Sequence, residues 1–159
     1  MRKIDKLLSE YGESHQNETN KSIHWVCVPL IFFSIVGLLA SIPASGLQSL
    51  IGHNSPFANW ATLLLVAVTV YYITLSLSLT VGMVLFGLLC LIITNALTKI
   101  GVMPLWLISI IIFVVAWIGQ FYGHKVEGKK PSFLKDLQFL LVGPAWLMHF
   151  IYKKLRIPY

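Results

Sequence analysis

Charged side chains are scarce in this sequence, and one long stretch has none at all. Of 159 residues, only 11% are charged and 57% are hydrophobic, a balance outside the usual range of soluble globular proteins. No Asp, Glu, Lys or Arg occurs between Lys21 and Lys99, a run of 77 residues that can hold three transmembrane helices of about 20 residues each. The composition therefore excludes an ordinary soluble domain and predicts an integral membrane protein.

Several kinds of catalytic site are excluded by what is missing. Six acidic residues, four of them before Lys21, leave no paired carboxylates within the membrane for a carboxylate-bridged di-iron centre. The sequence has no glycine-rich nucleotide-binding loop, no Gly-x-Ser-x-Gly motif and no Cys-x-x-Cys motif. The two cysteines, Cys27 and Cys90, lie far apart in apolar segments, so we expect buried thiols without a redox role.

We predict an all-α integral membrane protein with a single domain over residues 1–159. Helical spacing of apolar residues predicts a short amphipathic helix at residues 2–13, lying on the membrane. Four transmembrane helices are predicted to follow, at residues 25–44, 57–75, 78–98 and 102–122. The last apolar stretch, residues 137–152, carries Gly143-Pro144 in its middle, which disrupts helical hydrogen bonding and predicts an interfacial or re-entrant segment. A fifth crossing by this stretch is the alternative.

The basic residues predict the orientation in the membrane. Four precede the first predicted span, four lie between Lys125 and Lys135, and three follow residue 152. With four crossings and a last segment that does not cross, these groups share one side, which the positive-inside rule assigns to the cytoplasm. We expect the inner membrane in a bacterium or the endoplasmic reticulum in a eukaryote. The net charge of +6 is expected to meet lipid headgroups and no nucleic acid, because the basic residues flank apolar segments.

A first polar cluster lies at the start of the first predicted span. Asn17, Asn20 and His24 are separated by three and four residues, which places them on one face of a helix. His15 lies nine residues before His24 and would point away from this face on a continuous helix. Asn17 or Thr19 is a suitable N-cap, so the helix is predicted to begin after His15 and leave that residue able to fold back.

A second cluster at the end of the fourth span repeats this spacing in the opposite chain direction. Gln120, His124 and Glu127 are again separated by four and three residues. The predicted topology brings both clusters to the cytoplasmic side, where the two helix faces can meet. Gly123 has no side chain beside His124, which permits a close approach of the two backbones or a bend.

These side chains predict a nitrogen-rich metal site at the cytoplasmic membrane face. Imidazole is a good ligand for iron, zinc or copper, and the scarcity of thiols argues against a sulfur-rich site. The candidate ligands are His15, His24, His124 and, as a residue that could instead contact substrate or reach the headgroups, His149. Carboxamides and a carboxylate are available as partners for the remaining ring N–H groups. These are Asn17, Asn20, Gln120 and Glu127.

At these clusters the sequence resembles the small membrane family of the fungal 2-hydroxy fatty acid dioxygenase, which acts in phytosphingosine degradation and has bacterial relatives. The resemblance covers nearly the whole chain. Its specific parts are Tyr11, the string His15-x-Asn17-x-x-Asn20-x-x-x-His24 with Pro29, the string Trp117-x-x-Gln120-Phe121-x-Gly123-His124-x-x-Glu127, Pro131, Asp136 and Gly143-Pro144.

The resemblance implies an Fe(II)-dependent α-oxidation, in which a long-chain 2-hydroxy fatty acid and O2 give a fatty acid one carbon shorter, without 2-oxoglutarate. It implies that His15, His24 and His124 are the iron ligands and catalytic residues, and it does not assign His149. Five further residues are implied to support the ligands or contact substrate: Tyr11, Asn17, Asn20, Gln120 and Glu127.

Two other functions stay open on the sequence alone. One is a metal-dependent lipid hydrolase that uses the same histidines, for example with zinc. The other is a non-catalytic membrane scaffold or transporter subunit, although the absence of charged residues within the spans argues against ion-coupled transport. No oligomeric state is predicted.

Overall fold

The computed structural model describes residues 2–51, 55, 57–128 and 139–159. Within these ranges the chain forms α-helices and no strand, which confirms the predicted all-helical class. Seven helices are described: α1 (Lys3–Gly12), α2 (Glu18–Ala40), α3 (Ser45–Ile51), α4 (Trp60–Ile73), α5 (Leu77–Ile100), α6 (Leu105–Val126) and α7 (Val142–Leu155). Pro131 and Asp136, which contribute to the family resemblance, lie outside the described residues.

Three of these helices are long and apolar enough to cross a membrane, namely α2, α5 and α6. Helix α4 occupies the second predicted span but has only 14 residues. At about 1.5 Å per residue it extends about 21 Å, which is shorter than a hydrocarbon core of about 30 Å. The described part of the chain therefore contains three candidate transmembrane helices where the sequence predicts four.

The predicted and observed helix boundaries differ most at α2, which begins at Glu18, whereas the sequence predicts a start at Trp25. Its start is set by Asn17, whose side-chain oxygen accepts hydrogen bonds from the backbone N–H groups of Thr19 (2.9 Å) and Asn20 (3.3 Å). This is one of the two N-caps that the sequence predicts. It satisfies donors that a helix leaves unpaired in its first turn. The first polar cluster therefore lies inside a helix.

Helix α1 matches the predicted amphipathic helix, but its apolar side contacts protein. Ile4, Leu8 and Tyr11 on that side are buried in a cluster that includes Ala145 and Trp146 of α7. Burial of such side chains stabilises the contact by roughly 1.5 to 3 kcal/mol each. The apolar side of α1 thus covers α7, and does not face lipid as the sequence predicts.

The Gly143-Pro144 pair begins a helix and does not break one. The sequence prediction places this pair in the middle of an interfacial or re-entrant helical segment, whereas α7 runs continuously from Val142 to Leu155 with the pair in its first turn. Proline in the first turn loses no helical hydrogen bond, since the N–H groups of that turn have no partner within the helix. At the other end of α7, the Tyr152 hydroxyl donates to the Ser78 carbonyl at the start of α5 (2.8 Å). With 14 residues, α7 is also short for a full crossing.

Helices α2 and α6 pack against each other along most of their length. At three levels a glycine of one helix faces a side chain of the other, and an added Cβ would overlap that side chain. The facing pairs are Gly37 with Ser109, Gly119 with Cys27, and Gly123 with Asn20. Residue numbers rise along one helix as they fall along the other, so the two helices are antiparallel. The start of α2 consequently lies beside the end of α6.

We predict that Gly37→Val destabilises the protein through the contact between α2 and α6. A side chain at residue 37 would overlap the Ser109 hydroxyl and crowd its Cβ, and overpacking of this kind costs about 1 to 3 kcal/mol. The measurement is the thermal unfolding midpoint in detergent. Gly46→Val is the matched control, because a Cβ at residue 46 meets nothing within 4 Å. Equal midpoints for the two variants would show that this helix contact is not close.

Candidate metal centre

Three histidines from separate parts of the chain converge at the end of the bundle where α2 begins and α6 ends. His15 lies in the turn after α1, His24 in the second turn of α2 and His124 in the last turn of α6. All three are buried, with exposed fractions of 3%, 1% and 5%. One nitrogen from each lies within 4.8 Å of the others. Such a group has the size and donor type of a site for one transition-metal ion.

The arrangement follows from the antiparallel pairing of α2 and α6. That pairing places His24 and His124 side by side, with ring centroids 5.1 Å apart. The chain reverses between α1 and α2, so His15 turns back onto them, with its ring 4.3 Å from that of His24 and 5.6 Å from that of His124. The expected meeting of the two polar clusters therefore occurs.

Two of the rings are oriented by backbone carbonyls four residues earlier. His15 Nδ1 lies 2.6 Å from the Tyr11 carbonyl oxygen, and His24 Nδ1 lies 3.0 Å from that of Asn20. A carbonyl only accepts hydrogen bonds, so each Nδ1 carries the proton and each Nε2 keeps a lone pair for a metal. For these two rings, backbone carbonyls take the role for which the sequence suggests carboxamides or Glu127. A histidine ring in a helix, or just after one, reaches the backbone carbonyl one turn earlier more directly than it reaches these side chains.

His24 gives the clearest indication that a metal fits here. Its Nε2 is buried and has no hydrogen-bond partner among the described residues. A buried polar atom without a partner costs about 1 to 3 kcal/mol, which a bound metal ion would offset. Three neutral imidazoles with no carboxylate among them would leave the positive charge of a divalent ion largely uncompensated, which favours an anionic substrate.

Aromatic rings enclose the His15 side of the site. The Tyr11 ring stacks on the imidazole of His15, with centroids 4.2 Å apart and planes 13° from parallel. The Trp146 ring of α7 lies 5.4 Å from the same imidazole. Helices α1 and α7 therefore cover the histidines and restrict water. The contribution of Trp146 was not predicted, and its position one turn before Phe150 on an amphipathic segment is the only signal in the sequence.

Glu127 holds the turn that carries His15. Its carboxylate accepts hydrogen bonds from the backbone N–H groups of Gln16 (2.8 Å) and Asn17 (2.9 Å) and from the side-chain amide of Asn20 (3.0 Å). Partial burial raises the pKa of the Glu127 carboxyl, but these hydrogen bonds lower the pKa by more. The carboxylate at the end of α6 therefore ties the start of α2 to α6.

Asn17 and Asn20 also act on the backbone and not on the imidazoles. Asn17 caps α2, as described above. Asn20 is fully buried and donates to Glu127 and, at 3.3 Å, to the carbonyl of Ser14. Its Oδ1 lies where a Cβ of residue 123 would be, so Gly123 allows the close approach that the sequence predicts.

Gln120 lies one turn before His124, beside a small cavity next to the histidines. The cavity measures about 20 Å³, enough for about one water molecule. Tyr11, Trp117 and Gly143 also line it, so it is bounded by α1, α6 and α7. A substrate atom in this position would lie within reach of the buried amide of Gln120.

His149 is not part of this group. It lies on α7, and its Nδ1 forms a hydrogen bond with the hydroxyl of Tyr159 near the end of the chain. The only metal-capable group in the described ranges consists of His15, His24 and His124. The structure thus brings together three of the four candidate ligands and places the fourth in a contact of the C-terminal tail.

Residues 1–155 match the family model described as 2-hydroxy-palmitic acid dioxygenase Mpo1-like. The chain belongs to this family. The match confirms the family that the resemblance suggests, and it includes all three histidines. The family description suggests a 2-hydroxy fatty acid dioxygenase. No curated protein and no solved structure matches the chain.

We predict that the three clustered histidines are each required for metal binding and that His149 is not. His15→Ala, His24→Ala and His124→Ala are expected to lower the affinity for a divalent transition metal by more than about 100-fold, since substitutions around a ligand already cost about 10- to 100-fold. The measurement is metal content and competition with a chelator on purified protein. His149→Ala is the matched control and should bind one equivalent. Loss of metal in His149→Ala alone would contradict the three-histidine site.

We predict that Glu127→Ala weakens metal binding without removing a ligand. The turn that carries His15 would lose three hydrogen bonds, so the affinity should fall by about 10- to 100-fold. Glu10→Ala removes the same charge from an exposed position on α1 and should leave the affinity unchanged. Unfolding midpoints of both variants show whether a loss reflects the site or the fold. Unchanged affinity in Glu127→Ala would mean that the turn keeps its conformation without the carboxylate.

Proposed function

We propose that this protein is an Fe(II)-dependent dioxygenase that converts long-chain 2-hydroxy fatty acids into fatty acids one carbon shorter. The observation that carries the proposal is the buried three-histidine group, found in a chain that belongs to a family described as 2-hydroxy-palmitic acid dioxygenases. Fe(II), O2 and the 2-hydroxy fatty acid would then be the cofactor and the two substrates.

Iron suits an oxidation by O2 better than zinc does. Zinc has no redox chemistry, so a zinc site would support hydrolysis and not oxidation by O2. Bound Fe(II) would supply the electron transfer to O2 that no side chain in the site can provide. His15 and His24 would hold it through Nε2, because their Nδ1 protons are already donated to carbonyls, and His124 would supply one ring nitrogen. Three protein ligands leave coordination positions open for substrates.

The overall reaction needs no further reductant. A 2-hydroxy acid loses four electrons when its hydroxyl-bearing carbon becomes a new carboxyl group and its original carboxyl group leaves as CO2. One O2 accepts those four electrons, so the products are the shortened acid, CO2 and one water molecule. This balance agrees with the absence of any recognisable nucleotide-binding motif in the sequence.

The protein's own residues would position the substrate and limit the access of water. Tyr11 and Trp146 cover the histidines, so competing reactions with bulk water are restricted. The Gln120 amide can donate to a carboxylate or accept from a hydroxyl beside the small cavity. Glu127 and Asn20 keep the His15 turn in place during turnover. The apolar surfaces of the helices would receive the acyl chain.

We infer that the site lies at the cytoplasmic face of the membrane, the inner membrane of a bacterium or the endoplasmic reticulum of a eukaryote. Four basic residues precede or begin α2, and Lys125 lies beside the site at the end of α6. Lys153 and Lys154 end α7, which packs against the start of α5. This grouping of positive charge at the histidine end supports the orientation.

The decisive measurement is the product mass from purified protein supplied with Fe(II), O2 and 2-hydroxypalmitic acid. We expect a fatty acid one carbon shorter, formed only when both iron and O2 are present. His24→Ala and His124→Ala should lose at least about 1,000-fold in rate, as expected when a group required for the chemistry is removed, whereas His149→Ala should keep its activity.

Two results would contradict the proposal. Full activity with zinc, or with iron in the absence of O2, would indicate a hydrolase that uses the same histidines. Absence of turnover by folded, iron-loaded protein on long-chain 2-hydroxy acids would favour a non-catalytic membrane role.

A further inference from the structure

A groove follows the side of α7 that faces away from α1. Its outer part measures about 710 Å³ and its inner part about 130 Å³, and Trp25 and Ile151 line both. The two parts are adjacent because they share these residues, and we call them together the α7 groove. Its combined size is within the range of about 300 to 1,000 Å³ typical of small-molecule sites.

The α7 groove is charged at one end and apolar at the other. Lys153 and Lys154 line the outer part, and both are exposed at the end of α7. The inner part is lined by Pro29 of α2, Phe86 of α5 and Leu147 of α7, among other apolar side chains. No acidic side chain lines either part among the described residues. This distribution complements an anionic head followed by a hydrocarbon tail.

The inner part suits a single acyl chain. Its volume is only about 130 Å³, and side chains of three helices bound it. A phospholipid has two chains to accommodate, whereas a free fatty acid has one. The charge of the outer part and the small volume of the inner part therefore favour a long-chain carboxylate over an anionic phospholipid.

Two aromatic rings, those of Phe150 and Trp146, connect the α7 groove with His15. The Phe150 ring, which lines the outer part, lies 4.7 Å from the Trp146 ring. Trp146 in turn lies 5.4 Å from the imidazole of His15. On the α2 side, Trp25 lines the groove and directly follows His24 in the sequence. The charged end of the groove and the candidate metal centre thus lie at the same end of the bundle.

We propose that the α7 groove binds a long-chain carboxylate from the bilayer, with its head beside Lys153 and Lys154 and its chain in the inner part. That this carboxylate is the 2-hydroxy acid on its way to the histidines rests on the proposed function. The binding itself does not, because it uses no residue of the candidate metal centre.

The test uses the full-length, iron-loaded protein without O2, in bilayer discs of neutral phosphatidylcholine. The probe is a long-chain 2-hydroxy fatty acid with a diazirine in mid-chain, and labelled residues are mapped by mass spectrometry. We expect labels on Phe86, Leu147 and neighbouring residues of the inner part, suppressed by excess unlabelled acid. Lys153→Gln with Lys154→Gln should raise the half-saturating concentration about 30-fold, because two lysines near a lipid surface contribute about 1 kcal/mol each.

Three controls make the test specific. Lys3→Gln with Lys6→Gln removes the same charge from exposed positions on α1 and should change the half-saturating concentration by less than about twofold. The methyl ester of the probe has no negative charge and should not respond to the loss of Lys153 and Lys154. Ile151→Trp, which fills the junction of the two parts, should abolish the labelling while the unfolding midpoint is retained.

The outcomes separate this proposal from the proposed function. Labelling of the inner part, combined with no turnover when O2 is supplied in a parallel assay, would support the α7 groove and contradict the dioxygenase. Turnover that is unchanged in Ile151→Trp, with labels outside the groove, would overturn the groove and leave the dioxygenase standing. Displacement of the probe by phosphatidylglycerol in the discs would overturn the carboxylate assignment and indicate an anionic phospholipid.

Discussion

The close antiparallel contact between α2 and α6 is the constraint on which the candidate site depends. Glycines at three levels allow the two helices to approach, and the pairing brings the start of one beside the end of the other. His24 and His124 meet for that reason, although 99 residues separate them along the chain. Glu127 then joins the two helix ends through Gln16, Asn17 and Asn20, and this connection determines where the turn bearing His15 lies. A small change in helix separation would therefore move all three imidazoles together.

The burial of the three histidines is the property that favours a bound ligand. An exposed imidazole can form hydrogen bonds with water, whereas Nε2 of His24 is buried and has no hydrogen-bond partner among the residues that the structure describes. A bound ligand would offset the free-energy cost of leaving this buried nitrogen unpaired. Backbone carbonyls orient His15 and His24, which prepares both rings for a metal. The description of the family to which the chain belongs names a dioxygenase, which suggests a metal at this site.

Helices α1 and α7 relate the histidines to the membrane. α1 supplies the ring of Tyr11 against His15, and α7 supplies Trp146 on the next side. The opposite side of α7 bears the α7 groove, so a single short helix would separate a lipid-accessible surface from the candidate metal centre. In this arrangement a substrate that partitions into the bilayer needs no aqueous route to the site. The acyl chain can remain among apolar side chains while its polar head approaches the histidines.

Many features of the protein follow from the sequence by itself. The absence of charge from residues 22 to 98 determined a helical membrane protein, because only closed hydrogen bonding within helices suits such segments. The spacing of His15, Asn17, Asn20 and His24 indicated both the helix start and the shared face, since capping and the helical period are local effects. Tertiary contacts decided the rest. They excluded His149 from the histidine group and placed Gly143-Pro144 at the start of a helix. They also gave the imidazoles of His15 and His24 backbone carbonyls as partners in place of Glu127. Local spacing shows which side chains share a face, but only the packing of distant helices determines which faces meet.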